Sequence, residues 1–486
     1  MKINKEDYYD KVKACWMSKS IGGTMGAPYE GNHSMQNITG YNTPKGEPVP
    51  NDDLDIQLIW LTAVEDMGIR GISSRVLGEY WINYVTMPCN EYGVCKANMK
   101  MGLLPPYSGE YKNDVWKHSN GGWIRTELWA CLFPGVPELA AKYAYKDSCI
   151  DHGKGEGTYA AMFVAAMQSI AFVEKDIRKI IEAGLKYIPD DCRCAKAAKT
   201  AIELYDKKVS LKEARNTILQ ADGVDLNFKK GSLLKSAQCG WFLAPGNVSF
   251  VVLGLLYGEG DYKKTVINAI NCGDDTDCTG GTTASIMGII GGCKNVPKDW
   301  ADYIGDQIIT TAIDSFYYRT PKNCTELTER VCELMPASFK AHSIDFEYTD
   351  GETEIDKDYF IRVPDFTIPS TGLSVDFADL TYAKGRVEFD KCEVEPGDEI
   401  TVKCIFKISI EWNPLQLNFK FELPDGWSCN KEYCNLYLMN SFGYENSVEV
   451  KIIVGEHVEL LNKVYITASC CNRPSIATIP LIIMGK

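Results

Sequence analysis

The sequence predicts a chain in two parts, an all-α domain over residues 1–340 and an all-β sandwich of immunoglobulin-like type over residues 381–486, joined by a connector at 341–380. Three observations predict it. Apolar residues recur at helical spacing through the first two thirds of the chain. Beyond about residue 380 the period drops to two. The period-two runs are separated by turn signals, Glu395-Pro-Gly-Asp and Pro424-Asp-Gly.

Taken in order, the stretch from Glu6 to Gly26 carries Tyr8, Val12, Cys15 and Trp16 on one helical face and ends in a glycine cluster. A second helix is expected from Asp55 to Met67. The alanine- and methionine-rich run from Gly157 to Glu174 reads as a buried helix, and Ser210 to Gln220 and Tyr262 to Asn271 as two more. Gly280 to Gly292 places small residues at 280, 284, 288 and 292, a smooth stripe that lets another backbone approach closely. The segment from Ser343 to about Leu380 is mixed and contains prolines, a connector with room for strands. Then Ile400, Val402, Cys404, Phe406 and Ile408 alternate with mostly polar neighbours. Leu415 to Leu423 and Val448 to Val454 do the same, as strands with one buried face do.

Charge and composition exclude some functions. The net charge of −14 gives no whole-protein field to attract nucleic acid or an anionic membrane. Small anionic ligands remain possible, since a metal or a helix N-terminus holds them locally. The nineteen cysteines include no C-x-x-C pair and sit in core-like stretches, which fits reduced thiols used as small hydrophobes. The first residues, Lys2, Lys5, Glu6 and Asp7, offer no apolar export signal. No apolar run is long enough to span a bilayer. A cytoplasmic protein is expected.

Two acidic segments carry the chemistry. In Asn271-Cys-Gly-Asp-Asp-Thr-Asp277 a helix ends, aspartates follow, and another helix begins near Thr279. Carboxylate oxygens suit magnesium, manganese or calcium. Three aspartates within four residues repel one another unless a cation or helix N-termini neutralise them. One aspartate suffices to cap a helix, so three are in excess. The segment Pro50-Asn-Asp-Asp-Leu-Asp-Ile-Gln57 has the same logic. A shared two-cation site explains both.

With these segments in view, the sequence resembles the ADP-ribosylglycohydrolase family. Four stretches match in the family's order over residues 8–295. The pattern G-D-A-x-G-x-P-x-E stands here as Gly22-Gly-Thr-Met-Gly-Ala-Pro-Tyr-Glu30. T-D-D-T stands as Asn51-Asp-Asp-Leu54, N-G-x-x-M-R as Asn120-Gly-Gly-Trp-Ile-Arg125, and G-G-D-T-D-T as Gly273-Asp-Asp-Thr-Asp-Cys278. The resemblance implies an orthogonal helical domain around a binuclear magnesium site, with manganese as a substitute. It implies metal ligation by Asp52, Asp53, Asp275 and Asp277, with Asn51 and Cys278 at flanking ligand positions. Glu30 matches a glutamate of catalysis or gating, with Asp53 and Asp275 beside it as catalytic carboxylates. Ser119, Asn120, Gly121 and Gly122 match a loop that contacts a substrate diphosphate, and His152 a histidine at the cleft edge.

The departures fall together. Asn51 replaces a threonine ligand, Cys278 replaces another, and Gly23 replaces an aspartate. An amide oxygen still ligates a hard cation, whereas a thiol is a poor magnesium ligand. These changes point to a divergent branch with an altered substrate.

The expected activity is hydrolysis of a glycosidic bond at ribose C1 of ADP-ribose carried by a protein, a nucleic acid or a small molecule. Two cations about 3.5–4 Å apart can hold ribose hydroxyls and a water. Glu30 or a free aspartate then takes the water's proton while an oxocarbenium-like transition state is stabilised. The alternatives are a hydrolase of another ribosyl or nucleoside-type glycoside and a non-catalytic ADP-ribose binder. Arg125 is open between a phosphate and a core partner, and Trp123 between a stacked base and the core. The sandwich is expected to serve packing, homodimerisation or recognition of a macromolecular or carbohydrate ligand.

Overall fold

The computed structural model of the chain describes residues 1–229, 231–314, 317–355, 368–409, 414–439, 444–471 and 473–486. The first part is helical, with α1 (Lys5–Gly26), α2 (Asp52–Gly71), α3 (Ser74–Tyr84), α4 (Asn90–Lys100), α5 (Glu127–Leu132), α6 (Pro137–His152), α7 (Glu156–Ala171) and α8 (Ile177–Gly184). It continues through α9 (Arg193–Asp206), α10 (Leu211–Ala221), α11 (Leu233–Gln238), α12 (Ala244–Gly258), α13 (Tyr262–Asn271), α14 (Thr276–Gly291), α15 (Lys298–Ile304) and α16 (Cys324–Ala341). A short strand before α1, β1 (Lys2–Asn4), pairs in parallel with β2 (Glu347–Thr349) and ties the two ends of this part together. None of these helices is long and apolar enough to cross a membrane.

Two helices start earlier than the periodicity predicts, and at one of them a side-chain cap sets the start. Asn51 is extended, with φ −145°, and its Oδ1 accepts the Asp53 N–H at 2.8 Å. That starts α2 at Asp52 rather than Asp55 and places both aspartates in the first turn. The other, α14, starts at Thr276 rather than near Thr279, with Asp275 at the cap position but making no side-chain cap hydrogen bond.

The small-residue stripe does what its spacing suggests. A Cβ on Gly22 would overlap the Gly280 carbonyl, one on Gly26 would overlap that of Thr276, and one on Gly288 would meet the Ala14 oxygen. Helices α1 and α14 therefore run with their backbones nearly touching. This approach brings the chain just beyond α1, which carries Glu30, against the start of α14, which carries Asp277. Around them lies a large apolar core that includes the fully buried Trp16, Trp60, Trp81, Trp123, Trp129 and Trp241.

The second part holds β3 (Ser374–Leu380), β4 (Ala383–Phe389), β5 (Glu393–Val394), β6 (Glu399–Ile408), β7 (Leu415–Glu422), β8 (Ser428–Cys429), β9 (Tyr433–Leu438), β10 (Asn446–Ile453), β11 (Leu461–Cys470) and β12 (Ala477–Gly485). They form two five-stranded sheets, ordered β3-β4-β6-β10-β8 and β5-β12-β11-β7-β9. Ile400, Val402, Cys404, Phe406 and Ile408 are buried, as their alternation requires, and so are Leu415, Leu417, Phe419 and Phe421. The segment expected to be a connector supplies β2 and β3; its residues 356–367 lie outside those described.

The sandwich packs on the helical part. Leu103 and Tyr107, from the segment after α4, belong to the sandwich core, and Tyr107 meets Phe389 edge-on at 5.0 Å. Pro106 bridges to Val375, Ser74 Oγ donates to Asp376, Lys154 Nζ donates to the Ser370 carbonyl at 2.7 Å, and Lys112 pairs with Glu393 at 2.7 Å.

Candidate active site

Besides Glu91, five carboxylates line one cleft: Glu30, Asp52, Asp53, Asp275 and Asp277. The first stands in the turn after α1, the next two in the first turn of α2, and the last two at the start of α14. Asp53, Asp275 and Asp277 are buried, Asp52 is half-buried, and Glu30 stands exposed at the lip. Ligand atoms of Glu30, Asp275 and Asp277 lie within 4.8 Å of one another, and so do those of Asp53, Asp277 and Cys278, so Asp277 is common to both groups.

The electrostatics are those of a site short of positive charge. Burial pushes Asp275 well above the usual carboxylate range, with Asp277 and Glu30 adding to it. Burial, then Glu30, raises Asp277 to about 7. Glu30, raised to about 7 by lost hydration and then by Asp52 and Asp53, is partly screened by solvent at its exposed position. Burial pushes Asp53 well up; Lys19 opposes the shift, while Asp277 and Asp52 add to it. Asp275 Oδ1 and Asp277 Oδ1 are buried oxygens with no hydrogen-bond partner. Such atoms are rare unless a ligand or ion completes them. The donors are hard oxygens in the number a divalent cation uses, so the residues fit a magnesium- or manganese-type ion.

The other acidic side chains have different work. Asp274, at φ +68°, receives His33 Nδ1 at 2.8 Å on Oδ1, and on Oδ2 the Phe242 N–H and Asn247 Nδ2, both at 2.8 Å. It fixes the loop and leaves Asp275 and Asp277 to the cleft. Asp55 accepts the N–H groups of Thr311 and Ala312 at 2.6 Å each. Asn51 turns away from the cleft. Its Oδ1 caps α2, and its Nδ2 occupies the space a Cβ on Gly23 would need. Two of the family departures are thus in contact with each other. Cys278 lines the cleft and donates its Sγ–H to Asp53 Oδ1 at 3.3 Å.

Ser119, Asn120 and Gly121 line the cleft opposite the acids. Asn120 Nδ2 donates to Asp275 Oδ2 at 2.7 Å, and its Oδ1 accepts Trp123 Nε1–H at 3.0 Å. The Gly121 N–H donates to Glu91 Oε1 at 3.2 Å. Gly122 and His152 stand behind this wall. A Cβ on Gly122 would crowd the Gly157 carbonyl. His152 is fully buried, with Nε2 3.2 Å from Ser119 Oγ and Nδ1 2.9 Å from Asp151. Arg125 is a core residue, donating to Asp147 at 2.8 Å and to both oxygens of Asp151 at 2.7 and 3.0 Å. Trp123 is core as well, and reaches the site only by holding Asn120.

Sequence reasoning missed Glu91 and Phe242, which line the cleft from segments with no acidic or glycine motif. It also missed Lys19, 2% exposed in its side chain beneath the cleft, 3.4 Å from Asp53 Oδ2 and 3.2 Å from Glu127 Oε1. Burial works against the Lys19 charge, but Glu127 and Asp53 outweigh it and hold the ammonium above its ordinary pKa. A signal existed. Lys19 falls in the apolar register of α1, and a lysine there must find a buried partner.

Helix starts pool carboxylates around a cleft in an all-helical core, in groups that could hold a metal ion. The chain belongs to the ADP-ribosylglycohydrolase family, whose model matches residues 4–333 and thus the whole acid cluster. Among solved structures it is similar, at 15% identity and a TM-score of 0.40, to a chain described as "ADP-ribosylglycohydrolase-related protein complex", covering 69% of this chain and 99% of that one. No curated protein matches it. The family match ends before the sandwich.

Proposed function

We propose that this protein is a divalent-metal-dependent hydrolase that cleaves the glycosidic bond at ribose C1 of an ADP-ribosylated protein, nucleic acid or small molecule. Family membership supports a glycosidic hydrolase. The observation that carries the metal reading is the pair of buried, unpartnered oxygens, Asp275 Oδ1 and Asp277 Oδ1, facing Glu30. Glu30, Asp275 and Asp277 would hold the ion, with Asp52 and Asp53 adjoining. A bound magnesium or manganese ion supplies Lewis acidity and lowers the pKa of a water.

The chain's own residues do the rest. Glu30, exposed at the lip, accepts the proton as water adds to C1. The C1 bond to the departing nitrogen or oxygen breaks, and that atom ends protonated. Asn120 holds Asp275 in place through its 2.7 Å hydrogen bond. The Ser119–Gly121 wall, backed by His152 and Glu91, faces the substrate's diphosphate. A cytoplasmic setting is part of this reading, supported by nineteen free cysteines.

A second reading, a hydrolase of a different ribosyl or nucleoside-type glycoside, is favoured by the paired departures Gly23 and Asn51, which face each other next to the start of α2 that carries Asp52 and Asp53. Incubating the protein and magnesium with ADP-ribosylated peptides, ADP-ribose conjugates and nucleosides, with release read by mass spectrometry, separates the two. The Asp275→Asn variant should lose turnover at least on the order of a hundredfold while keeping its circular dichroism. Full activity in that variant would sink the metal mechanism.

A further inference from the structure

The two acid groups of the cleft are not equivalent. In the group of Glu30, Asp275 and Asp277, two buried oxygens have no hydrogen-bond partner. The group of Asp53, Asp277 and Cys278 shares Asp277 with its bare Oδ1, and Asp53 Oδ2 there also lacks a hydrogen-bond partner, but one of its three donors is a thiol and a donor or a positive charge faces each oxygen of Asp53. Its Oδ1 accepts the Cys278 Sγ–H at 3.3 Å, and its Oδ2 lies 3.4 Å from the Lys19 ammonium. Lys19 is held there firmly, donating to the Ile124 carbonyl at 2.6 Å and pairing with Glu127 at 3.2 Å. The nearby Asn51 oxygen is taken up by the cap of α2. Of the other two donors, Asp277 is shared with the first group, and the Cys278 thiol is soft, a poor match for magnesium.

We propose that the Lys19 ammonium stands in for the charge of a second cation, so that this protein binds one hard divalent ion per chain, at Glu30, Asp275 and Asp277. The inference rests on the metal-dependent reading above and narrows it. A buried ammonium between Asp53 and Glu127 supplies a fixed positive charge, and a divalent ion beside it would be repelled at short range in a medium that screens poorly. The Asp53 side then serves the site as an anchored, neutralised wall rather than as a ligand set.

The test is titration of the metal-free, full-length protein with manganese(II), read by calorimetry and by electron paramagnetic resonance. The expected result is one ion per chain with the six-line spectrum of an isolated manganese. Lys19→Met, which keeps the length and removes the charge, should take up a second ion and lose the six-line pattern to coupling between neighbouring ions. Because that variant leaves Asp53 and Glu127 unpaired in the core, a second comparison stands beside it. Asp53→Asn should keep the single site, whereas Asp275→Asn should weaken it at least on the order of a hundredfold. Two coupled ions in the wild type, a folded Lys19→Met that still takes one, or equal losses in the two aspartate variants would each overturn the proposal and leave the hydrolase reading standing. No manganese binding at all would sink the hydrolase reading itself.

Discussion

Asn120 Nδ2 donates to Asp275 Oδ2 at 2.7 Å, joining the loop on one wall of the cleft to the carboxylate on the other. The two residues are 155 positions apart in the chain. The same amide accepts Trp123 Nε1–H, so a buried indole sets the amide's orientation and the amide sets the carboxylate's. Removing the amide frees Asp275 to rotate. Asn120→Ala should weaken manganese or magnesium binding by about 10–100-fold, the range for a group that orients a ligand. Calorimetric titration measures it. An unchanged affinity would mean that Asp275 is positioned by its backbone alone.

The α1–α14 contact supports a second expectation. A Cβ on Gly26 would overlap the Thr276 carbonyl, which has no room to move because α14 starts there. Gly26→Ala should destabilise the protein by about 1–3 kcal/mol through overpacking. It should also weaken metal binding, because it pushes the Glu30 turn away from Asp277. Urea unfolding and the same titration read both effects. Loss of stability without loss of affinity would show that the two walls adjust independently.

Proton and metal should compete at the acid cluster. Asp277 and Glu30 are raised to about 7 in the folded, metal-free chain, against about 4 in an unfolded one. A raised folded pKa contributes stability that is fully present below the unfolded value and lost as pH rises through the folded one. Metal-free protein should therefore lose stability between about pH 4 and pH 7, with the exposed Glu30 contributing less than Asp277. A bound cation takes the place of the protons. The rise in melting temperature on adding magnesium should be small near pH 5 and largest near pH 8, measured by differential scanning fluorimetry. A magnesium effect larger at the lower pH would contradict this.

The sandwich should depend on Leu103 of the helical part, which with Tyr107 belongs to its core. Leu103 is fully buried in the sandwich core although it follows α4. Leu103→Ala should cost about 2–5 kcal/mol, as large-to-small changes in a close-packed core do. Limited proteolysis should then cut between the two parts faster than in the wild type. Equal cleavage rates would place the coupling elsewhere, in the Lys154–Ser370 and Lys112–Glu393 contacts.

Much of this architecture was legible in the sequence, and the reasons are local. The period of 3.6 gave way to a period of two because the helices bury one stripe and the sheets one face. The burial of Ile400, Val402, Cys404, Phe406 and Ile408 follows from that alternation alone. The spacing of four among Gly280, Ala284 and Gly288 announced a close helix partner without saying which. The aspartates announced a cation site because too many like charges stand together for capping to explain.

Only the tertiary structure decided how those charges are shared. Asp274 and Asp275 are neighbours of the same type, yet one is fully hydrogen-bonded by His33, Phe242 and Asn247 while the other keeps a bare oxygen in the cleft. Asn51, in line for a ligand by sequence, turns to the space left by Gly23. Lys19, in no motif, reaches Asp53. Each outcome depends on which distant helix comes within about 3 Å, the reach of a hydrogen bond. The sequence by itself determined the two periodicities, the α1–α14 style of packing and the acid-rich character of the centre. The packing of α1, α2 and α14 determined which acids are free to hold an ion, because burial and partners are properties of the assembled core and not of any segment.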